Sequence, residues 1–149
     1  MTVFADSSAL VTRYASEAEQ VELGSPPEII VSVLARVEVP SAIWRKQRMG
    51  ELSVADAAIL VAAFEADYHG LDARPDGFVA VAVGPAIVER AARLVAVHGL
   101  RAYDAVQLAS ALSVTEVVPE CSGFAALDRR LRAAAAAEGL ALVPPAEVC

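Results

Sequence analysis

Cysteine is nearly absent. Cys121 and Cys149 are the only two in 149 residues, too few for a disulfide framework or a zinc site, and they read as reduced thiols in a cytoplasmic protein. No stretch approaches the run of about 18 to 20 apolar residues that a membrane-spanning helix requires. Asp6 and Arg13 interrupt the start before the basic and apolar segments of a secretory signal can form. The chain therefore reads as soluble, with no membrane partner. Positive charge is also short: twelve Lys and Arg stand against nineteen acids, for a net charge of −7. That balance excludes nucleic-acid binding through a broad basic surface. A nuclease is not excluded, because acids gathered around divalent cations reverse the local field while the total stays negative. No internal repeat or linker divides the chain, so one domain over residues 1–149 is expected.

What the sequence does have is apolar side chain, 56 % of the total, enough to bury a core. Short β-branched or apolar runs alternate with longer helical patterns. Strands are expected at residues 3–5, 28–31, 78–83, 123–127 and 140–143. Helices are expected over residues 9–19, capped by Ser7 or Ser8; over 33–48, with a kink or break near residues 36–40 because Pro40 lacks a donor; and from the Ser53 capping box to Tyr68. Further helices run from Pro85 to His98, from Ala102 onward, and from Asp128 to Glu138. Gly70 to Gly77 forms a loop. Strands alternating with helices imply an α/β fold, a central parallel sheet of four to five strands covered on both faces.

Four acids stand at element boundaries or beside apolar runs: Asp6 after the first strand, Glu38 and Asp104 on helices, and Asp128 after the fourth strand. In open parallel sheets, groups just beyond the carboxyl ends of strands face the crevice where ligands bind. Each acid alone has an ordinary explanation, since Asp is among the best helix caps. Brought together, the four would repel and raise one another's pKa unless cations neutralised them. The fitting cations are Mg²⁺ or Mn²⁺, hard ions that take oxygen ligands and share their shell with substrate phosphates. Such a site hydrolyses phosphodiesters with an activated water.

The same residues carry a family resemblance. VFADSSALVTRY, SVLARVEVPSAIWRK, HGLRAYDAVQLASAL and FAALDRRLRAAAAAEGL together resemble a PIN domain, and specifically a VapC-type toxin of a bacterial toxin–antitoxin pair, over nearly the whole chain. The resemblance implies a three-layer PIN-like α/β/α fold. It also implies a Mg²⁺- or Mn²⁺-dependent endoribonuclease with Asp6, Glu38, Asp104 and Asp128 as catalytic metal ligands. RNA would be the substrate, a homodimer the assembly, and a cognate VapB-like antitoxin the inhibitor. The chain departs from the family at Ala126, where a Thr or Ser commonly stands two residues before the fourth acid.

Other readings remain open at this level. A PIN-like module that binds RNA or protein without cutting would keep the fold. A phosphotransfer enzyme using Asp6 as nucleophile would want a second Asp two positions on, and Ser8 is there. Arg45, Lys46 or the group at Arg129 are candidates to guide RNA, and Arg101 to touch phosphate or form a surface ion pair. His98 reads as a helix-end cation or a hydrogen-bonded imidazole, Trp44 as a core or dimer-contact aromatic, and Cys121 as a small buried residue.

Overall fold

The structure, a computed structural model, describes residues 2–15, 20–71 and 76–146. The expected end of the first helix at Ala18 and Glu19, part of the 70–77 loop, and Cys149 lie outside the described residues. Among the described residues five strands form one sheet: β1 (Thr2–Ala5), β2 (Ile29–Ser32), β3 (Val79–Val81), β4 (Cys121–Ala125) and β5 (Ala141–Val143). Every pairing is parallel, and the order is β3-β2-β1-β4-β5. The helices are α1 (Ser7–Val11), α2 (Ala35–Arg48), α3 (Val54–His69), α4 (Pro85–His98), α5 (Ala102–Val117) and α6 (Arg129–Ala137).

The two-residue period of a strand sends successive side chains to opposite faces, and here it sorts them into two cores. Val3, Ala5, Ile29, Val31 and Ala125 pack with residues of α1, α2 and α3. Phe4, Ile30 and Phe124 pack with residues of α4, α5 and α6, and Phe4 stacks on Phe124 with ring centroids 6.0 Å apart. The result is a three-layer α/β/α arrangement. Because both faces of β1, β2 and β4 are covered, these strands read as continuous apolar runs rather than alternating ones.

The winding reverses between β1 and β4. From β1 the chain adds β2 and β3 on one side, then returns to add β4 and β5 on the other. In sheets of this kind a crevice opens at the carboxyl ends of the strands flanking that reversal. Ala5 and Ala125 are register partners there, and the Asp6 N–H donates to the Ala125 carbonyl at 2.9 Å, so the chain leaves both strands at one level.

Three local expectations are corrected. Helix α1 ends at Val11 rather than near Glu19. The Thr12 hydroxyl donates to the Ala9 carbonyl at 2.6 Å and accepts from the Val21 N–H at 3.1 Å, a side-chain competition that closes the helix. Helix α2 runs unbroken through Pro40. Its first turn is tightened by three-residue bonds from the Arg36 and Val37 N–H groups to the Val33 and Leu34 carbonyls, and beyond that turn Pro40 forfeits one interior donor without ending the helix. Finally β4 occupies residues 121–125 rather than 123–127, because at Ala126 the N–H leaves β1 and donates to Val143 across β5 at 3.3 Å.

Candidate active site

Asp6 follows β1 directly and is 4 % exposed. It caps α1, the role expected of Ser7 or Ser8: its Oδ2 accepts from the Ser8 N–H at 3.2 Å and from the Ser8 hydroxyl. The Ser8 hydroxyl in turn accepts from the Leu127 N–H at 3.3 Å, tying the segment after β1 to the one after β4. Asp128 caps α6, its Oδ1 accepting from the Leu131 N–H at 2.9 Å. Two of the four acids therefore perform the structural task that Asp does well, and each uses one carboxylate oxygen for it.

Glu38 and Asp104 lie in the first turns of α2 and α5, which belong to opposite layers of the fold. The Asp6 carboxyl is pushed up from 3.8 to about 6, chiefly by burial, with Asp104 and Glu38 adding negative charge and the Ser8 bonds opposing. The Asp104 carboxyl is also raised, by burial and then by Asp128, against the lowering effect of Arg101. Asp6 thus feels Glu38 and Asp104, and Asp104 feels Asp128. All four expected acids belong to one electrostatic neighbourhood at the carboxyl edge of the sheet. Among the described residues, however, no three His, Cys, Asp or Glu side chains stand in metal-holding geometry.

Capping does not account for Asp6. The rise from 3.8 to about 6 corresponds to about 3 kcal/mol against the ionised form, whereas a side-chain cap returns about 1 kcal/mol. A Ser or Thr would cap α1 without that cost. Asp104 caps nothing, since Arg101 holds the cap position of α5 and makes no side-chain cap bond.

Two openings flank the acids. A recess of about 310 Å³ is lined by Arg101, Asp104, Asp128, Arg129 and Arg130. A cleft of about 520 Å³ runs past Ser7, Ser8, Glu38, Arg45 and Tyr103. Of the basic residues considered for RNA, Arg45, Arg129 and Arg130 line these openings. Lys46 instead pairs with Glu51 at 3.3 Å. Arg130 donates to the Gly99 carbonyl at 3.1 Å, and Arg132 to the carbonyls of Ala126 and Pro144 at 2.9 and 2.6 Å. Ala126 is fully buried among the apolar residues of the α4–α6 side, so that position faces a core. His98 contacts Glu138 at 2.8 Å, Trp44 packs partly buried against the α1–α3 core, and Cys121 is buried.

Sequence reasoning missed two polar residues of this edge. Ser7 Oγ donates to Glu38 Oε1 at 3.0 Å. The Gln107 amide donates to the same Oε1 at 2.8 Å and to Ser7 Oγ at 3.1 Å. Gln107 is fully buried, and its own carbonyl oxygen finds no protein partner among the described residues, an arrangement that costs about 1–3 kcal/mol. The available signal was one amide inside the apolar run AVQLASAL, three residues after Asp104 and so on its side of the helix.

No family model matches the chain, and no curated protein matches it. Among solved structures the chain is similar to the crystal structure of PAE2754 from Pyrobaculum aerophilum, at 19 % identity and a TM-score of 0.56, over 89 % of this chain and 78 % of that one. The likeness is one of fold. Among the described residues no helix is long and apolar enough to cross a membrane.

Proposed function

We propose that this chain is a divalent-cation-dependent endoribonuclease of the PIN, VapC-like kind. The observation that carries the proposal is the placement of Asp6 and Asp128 just beyond the two strands flanking the reversal in sheet winding, as the caps of α1 and α6, in one electrostatic neighbourhood with Glu38 and Asp104. All four donors are carboxylates, the ligand type that Mg²⁺ and Mn²⁺ select. The lack of a three-ligand cage among the described residues is compatible with Mg²⁺, which keeps several waters and binds through one or two carboxylates plus substrate phosphates. Asp6, Glu38, Asp104 and Asp128 would hold the ion between them, directly or through its waters. When bound, such an ion acidifies water and offsets charge on the phosphate.

The chain's own residues supply orientation. Ser8 fixes one oxygen of Asp6, Ser7 and Gln107 fix one oxygen of Glu38, and the Leu131 N–H fixes one oxygen of Asp128. Arg101 and Arg129 beside Asp104 and Asp128 offer guanidinium groups to a phosphate backbone. Within this reading the protein is cytoplasmic, works as a homodimer, and is silenced by a cognate VapB-like antitoxin. The test compares cleavage of structured RNA by the wild type and Asp6→Asn in Mg²⁺ or Mn²⁺. Cleavage that stops with chelator and falls at least 100-fold in the variant is expected on the scale of losing a catalytic group (about 10²–10⁴). Equal residual cleavage by both would contradict it, and RNA binding without cleavage would favour the non-cutting module.

A further inference from the structure

Gln107 crosses the sheet edge. It sits on α5, in the layer formed by α4, α5 and α6, yet both of its amide bonds go to the other layer: to Glu38 on α2 at 2.8 Å and to Ser7 on α1 at 3.1 Å. With the 3.0 Å bond from Ser7 to Glu38, the three side chains close a triangle. Both donors converge on Glu38 Oε1, and Glu38 itself lines the 520 Å³ cleft.

The orientation of the amide is dictated by charge. Turned over, Gln107 would set its carbonyl against the Glu38 carboxylate, two acceptors facing one another. In the orientation adopted, the carbonyl is the group left without a partner, in a residue that is fully buried. A leucine or methionine would fill the same space with no orphaned acceptor, which argues that the amide is not there for stability. Its effect is on Glu38, whose Oε1 is pinned by two donors so that the carboxylate is held at one angle to the cleft.

We infer that Gln107 is a positioning residue: by clasping Oε1 of Glu38 across the two helical layers, it presents the other carboxylate oxygen to a divalent cation. This rests on the reading of the four acids as a cation site. Partners that orient a ligating carboxylate typically change metal affinity by 10–100-fold.

The experiment is calorimetric titration of Mn²⁺ into the wild type, Gln107→Met, Glu38→Gln and the double variant, with a thermal melt of each in chelator. Expected is a loss of affinity of 10-fold or more in Gln107→Met with its melting temperature unchanged or raised, and little further loss when the same change is made in Glu38→Gln. Wild-type uptake with equal affinity in Gln107→Met would overturn this inference alone. So would a loss in Gln107→Met that recurs in full on the Glu38→Gln background, because the effect would then not run through Glu38. No Mn²⁺ uptake by the wild type overturns the site reading and this inference with it. Should Gln107→Met fail to fold, Ser7→Ala, which removes another donor to the same oxygen, is expected to weaken Mn²⁺ binding several-fold, and unchanged binding there contradicts the inference equally.

Discussion

Asp6 is asked to be charged in a place that favours its neutral form. Its folded pKa of about 6 lies above the ordinary 3.8, so the folded protein holds this proton more tightly than the unfolded chain does. Stability from this group is therefore greatest below about pH 4, declines as pH rises toward 6, and is flat above. Asp6→Asn keeps an oxygen for the Ser8 N–H and removes the charge. In chelator, urea unfolding is expected to show the variant more stable at pH 7.5 by up to about 3 kcal/mol, with the gap nearly closed at pH 4. A variant that is less stable at pH 7.5 would mean that capping, not buried charge, dominates at this residue.

At the scale of elements, the boundaries that follow from backbone chemistry were legible in the sequence. Gly84-Pro85 and Gly99 bracket α4, with Gly99 at φ 64, and the Ser53 hydroxyl caps α3 through the Asp56 N–H at 3.0 Å. What the sequence concealed was competition from elsewhere in the fold. Thr12 closes α1 through a bond to Val21, nine residues on, and β4 takes its register from β1 and β5. The four acids could be singled out because each sits at an element boundary or beside an apolar run, and the structure brings them to one edge. Ser7 and Gln107 were not, since periodicity tells which side of a helix a residue occupies but not which element lies across from it.

Two expectations belong to this scale. Asp128→Asn should leave the melting temperature close to wild type, and Asp128→Ala should lose about 1 kcal/mol with the α6 cap. Both should lose RNA cleavage, so a fully active Asp128→Asn would reduce this residue to a cap. Gly77 is the second case. A Cβ there would lie 2.4 Å from the Tyr68 carbonyl oxygen, and Gly77→Ala is expected to destabilise by about 1–3 kcal/mol in urea unfolding.

The whole molecule is organised so that opposite layers deliver like charge to one edge. α2 brings Glu38 from one side of the sheet, α5 brings Asp104 from the other, and β1 and β4 set Asp6 and Asp128 between them. A fold selected for stability alone has no reason to do this, because the shifts at Asp6 and Asp104 both oppose ionisation. A cation bound only by the folded state would reverse the balance, adding about 2.7 kcal/mol at a hundredfold excess over its dissociation constant. Mn²⁺ is therefore expected to raise the melting temperature of the wild type at pH 7.5. The rise should fade as pH falls through about 6 and protons compete for Asp6. A rise that persists undiminished at pH 5 would place the ion elsewhere.

The most direct measurement is Mn²⁺ titration of the wild type beside Asp104→Asn at pH 7.5. Asp104 suits it because it caps no helix, so its removal probes the shared charge alone. Saturable uptake by the wild type, weakened at least tenfold in the variant, is the expected result. No uptake by the wild type, or equal uptake by both, would contradict the claim that these carboxylates form one cation site.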